Sequence, residues 1–178
     1  FKTMGILAVA GIALVAGAAV AALPKLIDMA GKLEAMDKKA GTVFGDQKGV
    51  VEAWAKKNAG AMGLTSREAV GLSANFADLL IPMGFTRKAA AEMSTKVVGL
   101  SGALSQWSGG TYDAAQVSEI LAKAMLGERD GLKALGISIS EADVKARLLE
   151  NGTNELTGAA LEQAKAIAIQ EIIFEKST

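Results

Sequence analysis

Two pairs of acidic residues come closest to the spacing of a catalytic site. Glu128 and Asp130 lie two positions apart, as do Glu141 and Asp143, and paired carboxylates can divide the roles of general acid and general base. Each pair also stands where a helix is predicted to begin, and carboxylates there favour the positive end of the helix dipole. Capping explains both pairs better than catalysis, so we expect no catalytic residues and no enzyme.

Other reactive chemistry is limited by what the sequence lacks. His and Cys are both absent, which excludes an imidazole base, a thiolate nucleophile, a disulfide and the usual Cys/His zinc site. The pair Gly109 and Gly110 lacks the Gly-Lys-Ser/Thr ending of a phosphate-binding loop, so we expect a turn there. The glycosylation sequon Asn151-Gly152-Thr153 is short enough to arise by chance. We expect no metal and no cofactor.

The overall charge and composition point to structure rather than chemistry. Lys and Arg number 19, as do Asp and Glu, and a chain with no net charge has no long-range field to gather nucleic acid. Aromatic residues make up only 4% of the chain, whereas Ala and Gly are abundant. Small side chains favour close contact between helices, so we expect a structural or assembly role.

The longest apolar segment runs from Met4 to Leu23 and contains no charged or strongly polar side chain. As a helix it would span about 30 Å, the thickness of the hydrocarbon core of a bilayer. Small residues recur along it at helical spacing and give it one smooth face, suited to membrane insertion or close helix packing. These predicted membrane or helix-packing residues are Ala10, Ala13, Gly17 and Ala21.

Four interpretations of residues 4–23 remain open. The basic residue at the start and the Ala-x-Ala cleavage pattern at Ala19-Val20-Ala21 fit a signal peptide. Ala-rich helices also form the cores of soluble assemblies, so a buried helix is a second interpretation. The length fits a permanent membrane anchor. The smooth face favours a helix that packs within a multimer and meets a membrane only later.

The remaining residues predict an all-α chain in three parts: an apolar transmembrane-like helix (1–23), an amphipathic helix, a loop and a short helix (24–63), and a compact domain of short helices in hairpins (64–178). The loop is expected from Gly41 to Gly49 and the short helix over residues 50–58. Thr65 with Glu68, and Ser140 with Asp143, have the spacing of capping boxes. The predicted core residues are Val51, Trp54, Val70, Leu72, Phe76, Leu79, Leu80, Met93, Val97, Leu100, Leu104, Val117, Ile120, Leu121, Ala124, Met125, Val144, Leu148, Leu149, Leu161, Ala164, Ile167, Ala168, Ile172 and Ile173.

An ordered set of short motifs between Gly71 and Ile173 resembles a known family. The motifs are Leu79-Leu80-Ile81-Pro82-Met83-Gly84-Phe85-Thr86, Met93-Ser94, Ser108-Gly109-Gly110, Ala122-Lys123-Ala124-Met125-Leu126-Gly127-Glu128, Leu132-Lys133-Ala134-Leu135-Gly136-Ile137 and Leu156-Thr157-Gly158-Ala159-Ala160. They are similar to the segment found near the N-terminal part of tape measure proteins of long-tailed, siphovirus-like bacteriophages. The element that starts at Leu126 and ends at Ile137 is the most specific part. Since the chain begins at Phe1, we interpret it as a fragment of a longer protein.

The resemblance implies a role in the virion and no reaction. Tape measure proteins lie along the lumen of the tail tube as a homo-oligomer of a few copies side by side, and tube subunits polymerise around them. Their partners are the tail tube and tail tip proteins and, during genome ejection, the host membrane, so the implied locations are the tail lumen and then the host cell envelope. The family has no catalytic motif in this region, so no site residues follow from the resemblance.

The glycines that interrupt the predicted helices indicate which part of a tape measure protein we expect here. Residues 41–178 are interrupted by Gly too often for a continuous rod, and no heptad seam is sustained. We therefore expect a compact helical domain that flanks the extended ruler, with residues 4–23 as the element able to enter a membrane. Two alternatives remain open, a membrane-anchored helical adaptor and a pore-forming helical domain.

Overall fold

Helices make up most of the chain that the computed structural model describes, which is residue 31 and residues 34–177. This part of the chain holds α-helices, 3-10 helices and irregular connections but no strand, so the predicted all-α fold is confirmed. The predicted apolar helix of residues 4–23 lies outside the described residues.

The complete α-helices have 10 to 21 residues and are joined by turns, short loops and 3-10 helices. The helical residues 34–44 form the described part of α1. The other α-helices are α2 (Lys48–Asn58), α3 (Ser66–Leu80), α4 (Arg87–Trp107), α5 (Ala114–Met125), α6 (Glu141–Glu150) and α7 (Gly158–Lys176). Three 3-10 helices lie between them at Gly45–Gln47, Ala59–Met62 and Arg129–Leu135.

Side-chain caps start the helices where the sequence predicts them. The Thr65 hydroxyl accepts a hydrogen bond from the backbone N–H of Glu68 at 3.2 Å, and the Glu68 carboxylate accepts one from the N–H of Thr65 at 2.7 Å. Ser140 and Asp143 make the same reciprocal pair at the start of α6. Both predicted capping boxes are confirmed, and each satisfies two backbone donors that the first helical turn leaves unpaired.

From Met36 onwards the described residues form one compact unit. α3 packs against α4 and α4 against α5, while α2 lies on α3 and α4, and α7 contacts both α5 and α6. α7 is apolar on several sides, with the buried residues Ala164, Ala166, Ala168, Ile169, Ile172 and Ile173. The largest side chains with almost no exposed surface are Phe44, Leu80, Leu121, Leu132, Leu135 and Ile169.

The predicted loop from Gly41 to Gly49 is wrong. Helix α1 continues through Gly41 to residue 44, because Val43 and Phe44 are both buried on the helical backbone. Only Gly45 takes a positive φ, +55°, and the side chain of Arg87 lies over it. Gly41 and Gly49 thus remain helical, since burial of neighbouring side chains outweighs the low helix propensity of glycine.

Two predicted core residues are also wrong. Leu149 is 66% exposed and Ile167 is 38% exposed. Leu149 follows the buried Leu148, and one step along an α-helix turns the side chain by about 100°, which carries Leu149 off the narrow buried face that Val144 and Leu148 form on α6. Ile167 lies between the buried Ala166 and Ala168, and at about 100° per residue it falls in the one sector of α7 that contains no buried residue. Trp54, Leu72, Leu79, Leu100, Ile120 and Leu161 are half-buried, and the remaining predicted core residues are buried.

Candidate interaction surfaces

The predicted membrane or helix-packing residues of the N-terminal segment, Ala10, Ala13, Gly17 and Ala21, lie outside the described residues. Across residues 34–177, none of the helices combines the length and the apolar character that crossing a bilayer requires.

Glycines on helix faces nevertheless allow close helix contacts within the compact unit. Gly102, on the buried face of α4, is covered by the side chain of Met62 from the 3-10 helix Ala59–Met62. Gly71 of α3 is covered by Met36, whose sulfur would lie 3.0 Å from a Cβ at position 71. In each case a flexible Met side chain fills the space left by a missing Cβ. Close contact through small residues is therefore an observed feature of this fold.

A surface groove of about 750 Å³ lies between the end of α5, the 3-10 helix Arg129–Leu135 and the start of α6. Three of the four acidic residues that the sequence places in pairs line it, namely Glu128, Asp130 and Glu141. The fourth, Asp143, is used to cap α6. The structure thus brings the two pairs near one groove, which their separation in the sequence does not predict.

The charges that line the groove are largely paired with one another. Arg129 NH2 lies 2.8 Å from Glu141 Oε2, and Lys133 Nζ lies 2.7 Å from Asp130 Oδ1. The hydrogen bond from Arg129 lowers the pKa of Glu141, and the hydrogen bond from Lys133 lowers the pKa of Asp130. Both carboxylates therefore stay ionised near neutral pH, whereas a general acid needs a raised pKa.

The same region offers no metal centre. Among the residues that the structure describes, no group of three or more acidic side chains is arranged to hold a metal ion. One carboxylate oxygen of Glu141 and one of Asp130 pair with cationic side chains, at 2.8 and 2.7 Å.

Trp107 is the most exposed large apolar side chain of the described residues, with 71% of its surface accessible. It ends α4, and its ring lies across the backbone of Gly136, where a Cβ would stand 3.3 Å from Trp107 Cη2. Gly136 itself has φ +74° and terminates the 3-10 helix Arg129–Leu135. An exposed Trp next to glycines is a candidate contact residue, since Trp is enriched at the centres of interfaces.

A charged cluster connects α6 with α7. Arg147, whose side chain is 19% exposed, donates to Glu150 at 2.9 Å, to Glu171 at 3.5 Å and to Glu175. Asn151 donates from Nδ2 to the same Glu171 oxygen at 2.9 Å. The hydrogen bond to Glu175 contributes most to raising the pKa of Arg147. No signal in the sequence predicts this cluster, because its partners on α7 lie 20 to 28 positions from Arg147 and Asn151.

Comparisons of the chain with protein-family models, with curated proteins and with solved structures found no match. Its function is therefore inferred from its own residues and from the fold.

Proposed function

We propose that this chain is a segment of a phage tail tape measure protein, which lies in the tail tube, templates tail assembly and length, and is ejected to help the genome pass the host envelope. The ordered motifs between Gly71 and Ile173 carry the proposal. The all-α fold supports it, because tape measure proteins are mostly helical.

The most specific motif has a clear physical basis in the fold. Gly127, with φ +100°, ends α5, and Gly136, with φ +74°, ends the following 3-10 helix. Glycine takes these left-handed conformations without steric cost. Leu132 and Leu135, between the two glycines, are buried in the core. The motif thus corresponds to one short 3-10 helix between two glycines that end helices, and these residue types support its use as a family signature.

The compact packing from Met36 onwards favours a domain that flanks the ruler. A helix adds about 1.5 Å per residue along its axis only when helices run end to end. Here α3, α4 and α5 pack side by side, so their lengths do not add. We propose that the extended ruler is formed by other parts of the full protein.

The proposed partners follow from the same role. They are further copies of the chain, a few side by side, then the tail tube and tail tip proteins, and finally the host membrane during ejection. The smooth face of residues 4–23, with Ala10, Ala13, Gly17 and Ala21, is proposed to pack between copies before it meets lipid. The absence of net charge lets a tube lumen release the chain without strong electrostatic binding, and no specific binding to nucleic acid is proposed.

The proposal is tested with two phage variants that separate the length of residues 4–23 from their apolar character. One removes these residues in frame, and the other replaces them with a polar, Ala-rich helix of the same length. Tail length is measured by electron microscopy, and genome delivery is measured by release of DNA into host cells.

We expect both variants to assemble tails and to lose genome delivery. This result would indicate that residues 4–23 act at the host membrane as part of a tape measure protein. Short or absent tails in both variants would place it in the packed multimer that templates assembly. Normal tails with normal delivery in both variants would contradict the proposal. If the chain proves absent from purified tails, the membrane-anchored adaptor and the pore-forming domain become the better explanations.

A further inference from the structure

We propose that Asn151 is a site of spontaneous deamidation, and that the resulting carboxylate loosens the contact between α6 and α7. Asn151 is the exposed residue that ends α6. It is followed by Gly152, whereas the other three asparagines precede larger residues: Asn58, Asn75 and Asn154. Attack on a side-chain amide by the next backbone nitrogen is least hindered when the next residue is Gly.

The reaction needs only water. The backbone nitrogen of Gly152 loses its proton to solvent and attacks Cγ of Asn151, so that a C–N bond forms. The bond from Cγ to Nδ2 breaks, ammonia leaves, and a cyclic imide remains. Water then adds to one imide carbonyl and breaks one ring C–N bond, which yields aspartate or isoaspartate. Overall the amide and one water become a carboxylic acid and ammonia, without oxidation or reduction.

The local structure permits this step after a small opening. Gly152 has φ +65° and no heavy atom within 4 Å of a Cβ position, so the backbone there has free space. Its N–H donates to the carbonyl of Leu149 at 3.0 Å, and this bond must break before the nitrogen can attack. It belongs to the last turn of a helix, where hydrogen bonds open most often.

The product changes the charge balance of the cluster around Arg147. At present Asn151 Nδ2 donates to Glu171 Oε2 at 2.9 Å, and Arg147 is shared by Glu150, Glu171 and Glu175. A carboxylate at position 151 removes the donor and faces Glu171 with a like charge. It also lies at the C-terminus of α6, where the helix dipole disfavours negative charge.

The rate is tested by ageing the folded chain in mildly alkaline buffer and digesting samples with trypsin. Residues 148–165 are released as one peptide, because cleavage follows Arg147 and Lys165, and this peptide contains both Asn151 and Asn154. Fragment masses then assign each conversion. We expect Asn151 to convert several-fold faster than Asn154, and equal rates at the two positions would overturn the proposed site.

The consequence is tested by amide hydrogen exchange of Asn151→Asp against Asn154→Asp, which adds the same charge three residues away in the same connection. We expect several-fold faster exchange in α6 and α7 for the first variant only. A second change, Glu171→Gln, should suppress this effect by removing the like charge. Exchange in Asn151→Asp equal to that in Asn154→Asp would overturn the proposed loosening. Neither test depends on the proposed function.

Discussion

The side chain of Met62 fills the space that a Cβ at Gly102 would need. A Cβ at position 102 would overlap Cγ of Met62 and would lie 2.6 Å from its Cβ. Gly102 is buried in the C-terminal third of α4, and Met62 ends the 3-10 helix that leads into α3. The distance between these two elements is therefore set by the absence of one methyl group.

We expect Gly102→Ala to destabilise the chain. Overpacking of this kind costs about 1–3 kcal/mol, whereas the better helix propensity of Ala returns at most about 1 kcal/mol. Urea denaturation of the purified chain measures the net loss. The control is Gly99→Ala on the same helix, where the new Cβ would lie 3.7 Å from Trp54 Cζ2, an ordinary contact.

Gly99→Ala should gain up to about 1 kcal/mol from helix propensity. Combining Gly102→Ala with Met62→Ala should reduce the overpacking, although it also removes apolar contacts of Met62. Equal stability of the two single variants would contradict the close contact between Met62 and Gly102.

We expect Ser73→Ala to stabilise the chain. Ser73 is fully buried in α3, and its hydroxyl has no hydrogen-bond partner among the residues that the structure describes, which is costly for a buried polar group. Removing it and improving helix propensity should together gain about 1 kcal/mol. Thermal unfolding measures the gain.

The matched control for this change is Ser101→Ala. Ser101 is equally buried in α4, but its hydroxyl donates to the carbonyl of Val97 at 2.8 Å. Its replacement should gain less than that of Ser73, because a made hydrogen bond is lost. The reverse order of the two variants would show that Ser73 has a partner in solution.

We expect Arg147→Met to destabilise the chain by about 1 kcal/mol, since its carboxylate partners are more than a third exposed and are screened by water. The loss should shrink at high salt. Urea denaturation at two salt concentrations tests both statements. As a control, Lys165→Met breaks a single pair with Glu162 inside α7 and should cost at most about 0.5 kcal/mol.

The capping box at the start of α6 should make stability depend on acid pH. The hydrogen bond from the backbone N–H of Ser140 is the largest of the effects that lower the pKa of Asp143. Because its pKa is lower in the folded state, the ionised Asp143 carboxylate stabilises the fold. This stabilisation is complete above the ordinary carboxyl pKa and is lost as the pH falls through the lowered value. The loss of stability therefore begins near the ordinary carboxyl pKa of about 4 and continues as the pH falls below it.

Urea midpoints measured across this window should fall for the natural chain and fall less for Asp143→Asn. The variant should also start from a lower midpoint at neutral pH, where the natural carboxylate is ionised. Parallel curves for the two proteins would mean that Asp143 does not contribute to the acid sensitivity.

Local signals in the sequence predicted much of the fold. The capping boxes at Thr65 and Ser140 depend on residues three positions apart, so their hydrogen bonds can be read from spacing alone. The positive φ of Gly127 and Gly136, at the ends of α5 and of the 3-10 helix Arg129–Leu135, follows an equally local rule. The all-α class follows from such signals and from helical periodicity, which tertiary contacts only reinforce.

Features that depend on distant residues could not be predicted in this way. Whether Gly41 bends the chain or continues α1 is decided by burial of Phe44, which depends on the helices that cover it. The cluster around Arg147 joins two helices through residues up to 28 positions apart, and the groove depends on how three consecutive elements fold back on one another. A single sequence contains the side chains for such sites but not the distances between them.

The packing of α7 on two earlier helices has a consequence for the order of events during synthesis. This helix packs against α5 and α6, which precede it. While the ribosome still holds α7, the apolar faces of both earlier helices lack their cover. The nascent domain is therefore vulnerable to proteases and to aggregation until about twenty more residues have left the exit tunnel, and folding is completed by a late step.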